Sequence, residues 1–202
     1  MENEGYVKYT AEHTMSPAIE TLHWEELNRA RTKLREMGLV GMTSNGIGFG
    51  NLSIRIKGDT FLISGTATGA LPVLGPDGYC LITSFDVDEN RVVSSGPVKP
   101  SSETMTHGVI YRSCPNANCV IHIHSRAIFD GMLRDKYPTS PETAAYGTPD
   151  IARAIGKLVR HDSKKNEGQI VLAGHDEGVI VYAATVEKAL SLIEELYGKY
   201  QS

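Results

Sequence analysis

Polar and apolar residues alternate without a break from Asn51 to Ile56 (Asn-Leu-Ser-Ile-Arg-Ile), the period of two that predicts a half-buried strand. Shorter stretches of strand character follow at 60–64, 79–83 and 91–94, divided by turn-forming residues. The runs 119–125, 169–173 and 179–184 are more continuously apolar and predict buried strands. Helical spacing fills the gaps. Ile19, Leu22, Leu27, Ala30, Leu34 and Met37 predict a first helix from Ser16 to Gly38, opened by Ser16-Pro17 and closed by the glycine. Further helices are expected over 102–113, 125–133 and 149–158. A last one follows Thr185 with the stripe Ala189, Leu190, Ile193, Leu196 and Tyr197. Neither a repeat nor a linker interrupts the pattern, which predicts one domain over 1–202, with 1–15 as a flexible or arm-like start. The expected class is α/β, with helices packed around a central sheet that is mixed or antiparallel. Short hairpin spacings in the first half disfavour a regular doubly wound parallel sheet.

Composition changes this picture little. The 202 residues carry 41% hydrophobic and 22% charged positions and a net charge of −4, without the basic excess of a nucleic-acid binder. No apolar run approaches the ~20 residues that span a bilayer. The acidic start, Met-Glu-Asn-Glu-Gly-Tyr, lacks the apolar core of a signal peptide. Cys80, Cys114 and Cys119 are odd in number and show no C-x-x-C spacing, so reduced thiols in a cytoplasmic protein are expected.

Candidate chemistry centres on Val-Ile-His-Ile-His-Ser at 120–125. Residues two apart on a strand share a face, so His122 and His124 project into one small volume. Neutral, they offer two corners of a zinc or other divalent-metal site. Two core histidines with local hydrogen bonds fit the spacing equally well. His175 lies between two predicted strands, where ligands gather, although a turn histidine in a polar loop is the plainer reading. His107 falls one turn after Glu103 and is expected to make a structural hydrogen bond. His161 is expected to be solvated at a helix end, and His13 and His23 to lie on the surface.

Glu103 follows Lys-Pro-Ser-Ser at a helix start, where unpaired amides and the helix dipole favour an anion. Locally, a serine cap with an ordinary first-turn acid suffices. The alternative is a phosphate held by Ser101, Ser102 and the amides, with Glu103 as a general base facing a metal. The stretch Gly46-Ile-Gly-Phe-Gly-Asn51 is either a turn cluster or a close backbone approach to phosphate. It lacks the lysine of a P-loop and leads into a strand, which excludes that motif.

Taken in order, Gly-Asn-Leu-Ser-Ile-Arg at 50–55, Lys-Pro-Ser-Ser-Glu at 99–103, His107, Ile110-Tyr111, the His122/His124 strand, Ala-Tyr-Gly-Thr at 145–148 and the loop around His175 resemble the class II aldolase/adducin family over roughly residues 20–198. The resemblance implies an α/β/α domain around a mostly antiparallel sheet, assembled as a homotetramer with sites between subunits. A C-terminal residue near Tyr197 or Tyr200 would help close a neighbouring site. It implies one divalent metal per chain, zinc first, held by His122, His124 and His175. Glu103 would be the acid/base, and Gly50, Asn51, Ser101 and Ser102 would hold phosphate together with Thr68-Gly69, or Ser64-Gly65 in its place. The expected activity is a metal-dependent aldolase that cleaves a ketose phosphate by retro-aldol chemistry through a metal-stabilised enediolate. The alternatives are an epimerase, whose branch places aspartate where Glu103 stands, a dehydratase, or a non-catalytic adducin-like module lacking the histidines. Two departures bear on substrate. Asp176 and Glu177 separate His175 from Gly178 and would reshape the pocket or touch the metal, and the loop 65–78 is long and rich in glycine and proline.

Overall fold

The computed structural model describes residues 8–21, 23–161 and 166–201. An eight-stranded sheet forms the middle layer. Its strands are β1 (Thr10–Met15), β4 (Asn51–Lys57), β5 (Thr60–Ser64), β6 (Tyr79–Asp86), β7 (Arg91–Gly96), β8 (Cys119–His124), β9 (Gly168–Val171) and β10 (Gly178–Ala183). A separate two-stranded hairpin pairs β2 (Gly41–Met42) with β3 (Gly48–Phe49). The main order is β1-β7-β6-β5-β4-β8-β10-β9, and every pair is antiparallel except β1 with β7. The mostly antiparallel α/β/α expectation is therefore met.

Helices α1 (His23–Glu36), α3 (Arg126–Arg134) and α5 (Val186–Tyr200) cover one face of the sheet, and α2 (Thr104–Ser113) and α4 (Pro149–His161) the other. Alternation along β8 divides its side chains between two cores. Cys119, Ile121 and Ile123 enter the core under α1 and α5, while Val120 enters the core under α2 and α4. His122 and His124 share the Val120 side at the end of the strand, and all six residues are buried. Each buried aliphatic side chain contributes about 1.5–3 kcal/mol, so the histidine pair is held on a stiff platform.

Several boundaries differ from the sequence reading. The first helix begins at His23, not Ser16. Upstream, Thr10–Met15 is an ordered edge strand rather than a loose arm, and Ser16 N–H donates to the Gly96 carbonyl at 3.2 Å, continuing the ladder. Pro17 has no N–H to extend it, so Ser16-Pro17 ends a strand instead of capping a helix. Residues 1–7 of the expected arm and Leu22 of the expected stripe lie outside the described residues. His13, expected on the surface, is half-buried, with its ring nitrogens 2.9 Å from Ser94 Oγ and 3.1 Å from the Gly96 carbonyl. The close of α1 is as expected: Gly38 takes φ +73° and Leu39 N–H returns to the Leu34 carbonyl at 2.9 Å. Ser125 and Thr185 cap α3 and α5 by accepting from Ile128 and Lys188 N–H.

Candidate active site

Two elements bring the histidines together. β8 supplies His122 and His124, and the turn between β9 and β10 supplies His175. The turn is pinned by His175 N–H to the Leu172 carbonyl (2.8 Å) and Gly178 N–H to the His175 carbonyl (2.9 Å). A side chain at Gly174 would overlap the Ala144 carbonyl, so only glycine lets the turn approach that closely. All three imidazoles are buried, and one nitrogen from each lies within 4.8 Å of the others. The Nε2 atoms of His122 and His124 are 3.0 Å apart.

The electrostatics suit a cation. His122 Nδ1 lies 3.1 Å from the Val179 carbonyl, which can only accept. That bond fixes the proton on Nδ1 and leaves the Nε2 lone pair facing the cluster, as an outer partner does for a ligating histidine. Burial, reinforced by His122 and His175, pushes His124 well below the usual imidazole range, so it stays neutral. Glu103 is 1% exposed, its Oε1 lies 3.5 Å from His175 Nδ1, and neither carboxylate oxygen has a hydrogen-bond partner among the described residues. Burial alone would raise this carboxyl, but contact with His175 and the nearby His122 and His107 outweigh it and hold the group down to about 2. A buried, ionised carboxylate beside the neutral His124 and two further buried imidazoles fits a divalent cation.

A small pocket of about 40 Å³ joins this cluster to the predicted anion-holding residues. Gly50, Asn51, Thr68, Gly69, Ser101 and Ser102 all line it, together with Glu103, His122, His124 and His175. Gly50 adopts φ +76°, and a Cβ there would lie 2.7 Å from Val40 Cγ2 and 3.1 Å from the His122 carbonyl oxygen. Of the alternative pair, Gly65 lines the pocket and Ser64 does not; the Ser64 Oγ accepts from Leu52 N–H at 3.1 Å. The Thr68 hydroxyl donates to the Gly65 carbonyl (2.8 Å) and so shapes its own loop. From α1, Arg31 donates to the carbonyls of Thr68 and Leu71 (2.8 Å each) and Arg35 to that of Gly69 (2.6 Å). Glu103 caps α2 by position without a side-chain capping bond, one step before the first turn where it was expected.

A wider cleft of about 510 Å³ opens beside the histidines, lined among others by Phe49, Tyr146, Arg126 and Gln201. The Tyr146 ring stacks on His175 with centroids 4.5 Å apart, and Phe49 tilts against His124 at 5.5 Å. Gln201 Nε2 donates to Ser125 Oγ at 2.7 Å. None of these four was read as a site residue from sequence; Tyr146 had a signal within the 145–148 motif, and Phe49 lay within the glycine-rich stretch 46–51. Asp176 and Glu177 turn outward and pair with Arg126 at 2.5 and 3.3 Å, so they shape the cleft mouth and do not join the histidines. His107 is structural, as expected: its Nδ1 meets Ser53 Oγ at 2.7 Å, and Ser53 Oγ meets Tyr111 Oη at 2.7 Å. His161 is exposed at the end of α4. Tyr200 packs within its own chain, donating to Asp135 Oδ2 at 2.8 Å.

Known proteins share this arrangement of elements. The family model described as the class II aldolase and adducin N-terminal domain matches residues 26–198. A methylthioribulose-1-phosphate dehydratase from Bacillus pumilus is 24% identical over 198 residues, covering 85% of this chain and 86% of that protein. Another from Geobacillus thermodenitrificans is 28% identical over 135 residues, covering 66% of this chain; that match spans 57% of the relative's own length. The crystal structure of L-fuculose-1-phosphate aldolase from Thermus thermophilus superposes with a TM-score of 0.60 at 18% identity, covering 86% of this chain and 88% of that one, a likeness of fold.

Proposed function

Because this chain belongs to the class II aldolase and adducin family, matched across residues 26–198, we propose that it is a divalent-metal-dependent lyase acting on a ketose phosphate by removal of water. Carbon–carbon cleavage, the first expectation from sequence, gives way here because dehydratases are matched by sequence over as much as 85% of this chain, whereas an epimerase is matched over 37 residues and the aldolase likeness is one of fold. The observation that carries the reading is the pocket in which six candidate phosphate-holding residues meet three histidines and a buried carboxylate. An adducin-like module without chemistry would have no use for that convergence.

His122, His124 and His175 would hold the ion, zinc first, which supplies Lewis acidity at the substrate carbonyl. The neutral imidazoles leave the charge of that ion undiminished. Backbone amides around Gly50, Gly69 and Ser102, with the Asn51 and Ser101 side chains, hold the phosphate and set the distance from it to Glu103. Glu103, ionised and shut away from bulk water, takes the proton from the carbon beside the carbonyl and returns it to the hydroxyl on the next carbon, whose C–O bond breaks with its electron pair so that the group leaves as water. Tyr146 and Phe49 wall the cleft and restrain the histidine rings. The assembly proposed is a homotetramer. The buried thiols of Cys80, Cys114 and Cys119 suit a reducing cytoplasm, and no helix among the described residues is long and apolar enough to cross a membrane.

The test is mass spectrometry of metal-loaded protein incubated with a panel of ketose 1-phosphates that includes methylthioribulose 1-phosphate. A product lighter by one water is expected. Two carbon fragments would reinstate the aldolase, and an unchanged mass with one inverted centre would make the protein an epimerase.

A further inference from the structure

The first described strand stands outside the span that defines the family, since β1 ends at Met15 and the match begins at residue 26. Its lead-in nevertheless reaches the pocket wall. Tyr9 is buried in the core beneath α2, and its hydroxyl donates to the Ser101 carbonyl at 2.8 Å, with the Pro100 carbonyl at 3.3 Å. The Ser101 carbonyl also accepts from the Thr104 hydroxyl at 2.6 Å and from Thr104 N–H at 3.1 Å. One oxygen is thus tied down by three donors. The next peptide N–H belongs to Ser102, and in a planar trans peptide it points opposite to the Ser101 carbonyl. Drawing that oxygen into the core therefore turns the Ser102 N–H outward, on the turn whose residues Ser101, Ser102 and Glu103 line the pocket. Lys8, one residue earlier, places Nζ 4.0 Å over the Tyr146 ring that stacks on His175, so the same segment touches a second wall of the site.

We propose that Tyr9 is a positioning residue of the anion pocket, clamping the Ser101–Ser102 peptide from outside the family-matched span. The proposal rests on the reading of that pocket as a phosphate subsite. Tyr9 does not line the pocket and touches no reacting group; it acts through the orientation of one peptide plane. A purely structural tyrosine would add stability and leave anion affinity unchanged.

Three zinc-loaded full-length proteins separate these roles: wild type, Tyr9→Phe and His13→Ala. Phenylalanine keeps the ring in the core and removes only the donor. His13 belongs to the same strand, but its hydrogen bonds run to β7, away from the turn. Inorganic phosphate is titrated into each by calorimetry, with zinc content and melting temperature measured alongside. Wild type and His13→Ala are expected to bind phosphate equally. Tyr9→Phe is expected to bind it about tenfold more weakly, the scale of one buried hydrogen bond, with zinc retained. A Tyr9→Phe protein that binds phosphate as wild type does, whatever its melting temperature, overturns the positioning role, as does equal weakening in His13→Ala. Absence of phosphate binding in wild type instead overturns the subsite reading, and the inference falls with it.

Discussion

At the scale of single residues, Glu103 and His124 fail in different ways when replaced. Glu103→Gln is nearly isosteric and leaves three nitrogen donors in place, so metal content should hold while turnover falls on the order of 10²–10⁴-fold. His124→Ala should lose metal and turnover together. Elemental analysis beside initial rates checks both, and near wild-type turnover in Glu103→Gln would remove the base from this mechanism. His107 controls a pH dependence of stability. Burial, with a smaller push from His122 and against the pull of Glu103, holds its imidazole down to about 3. The unfolded chain protonates it near 6.5, so below that pH the unfolded state binds more protons and stability falls as pH falls. The slope approaches about 1.4 kcal/mol per pH unit between roughly pH 6 and 4. Glu103 acts in a lower window, since a depressed carboxyl loses its contribution only as pH falls from about 4.5 toward 2. Denaturant melts of metal-stripped protein at pH 7, 6 and 5 should show this slope added to the parallel one from His124, and His107→Gln should remove the His107 share while leaving that of His124. Residues separated by two positions on a strand were legible from sequence, because strand geometry alone decides where they point. Tyr146, Phe49 and Gln201 were not, because each meets its histidine or serine through tertiary packing over 29, 75 and 76 positions of chain.

Among the elements, the strands from β4 onward and the later helices were read to within a few residues, since their periodicity is set by burial against one sheet, whereas the short β2–β3 hairpin was read only as a glycine-dense stretch. The start of α1 was misread. Ser16-Pro17 satisfies the local rules for a helix cap, but Thr10–Met15 finds a parallel partner in β7, and only that long-range pairing makes the segment a strand. The order of the strands was likewise invisible, because no local pattern records which edge β1 joins. The β3–β4 junction gives an element-scale prediction. Gly50→Ala must hold a left-handed backbone and press its methyl on Val40 and the His122 carbonyl. The two costs together are about 2–4 kcal/mol. Gly46 also has positive φ, at +80°, yet a methyl there meets nothing within 4 Å. Gly46→Ala should therefore lose only the backbone share, about 1–2 kcal/mol. Chemical denaturation of the two variants measures the difference, and equal losses would mean that Gly50 is there for its φ alone.

For the whole molecule, the proposed homotetramer predicts a light-scattering mass of four chains at working concentration; a monomer active at that concentration would refute it. Met42, Leu71 and Val73 are large, apolar and about half exposed or more on the hairpin and loop beside the pocket, the kind of surface that a neighbouring chain would cover. That helices pack around a central sheet was legible from the alternation of strand and helix periods, and the α/β/α layering followed from the family resemblance, while assembly leaves no periodic trace in one chain. The cleft has a polarity as well as a shape. At one end glycine and serine amides gather without a carboxylate other than Glu103; at the mouth Asp130, Asp176 and Glu177 crowd one guanidinium, that of Arg126. That rim carries more negative charge than its single arginine cancels, and at physiological salt the field persists over about 8 Å, close to the length of a small sugar phosphate. Under the proposed function, a molecule with an anionic head and a neutral tail would rest with its head among the glycines, where the distance from the rim carboxylates is greatest, and its tail against the rim.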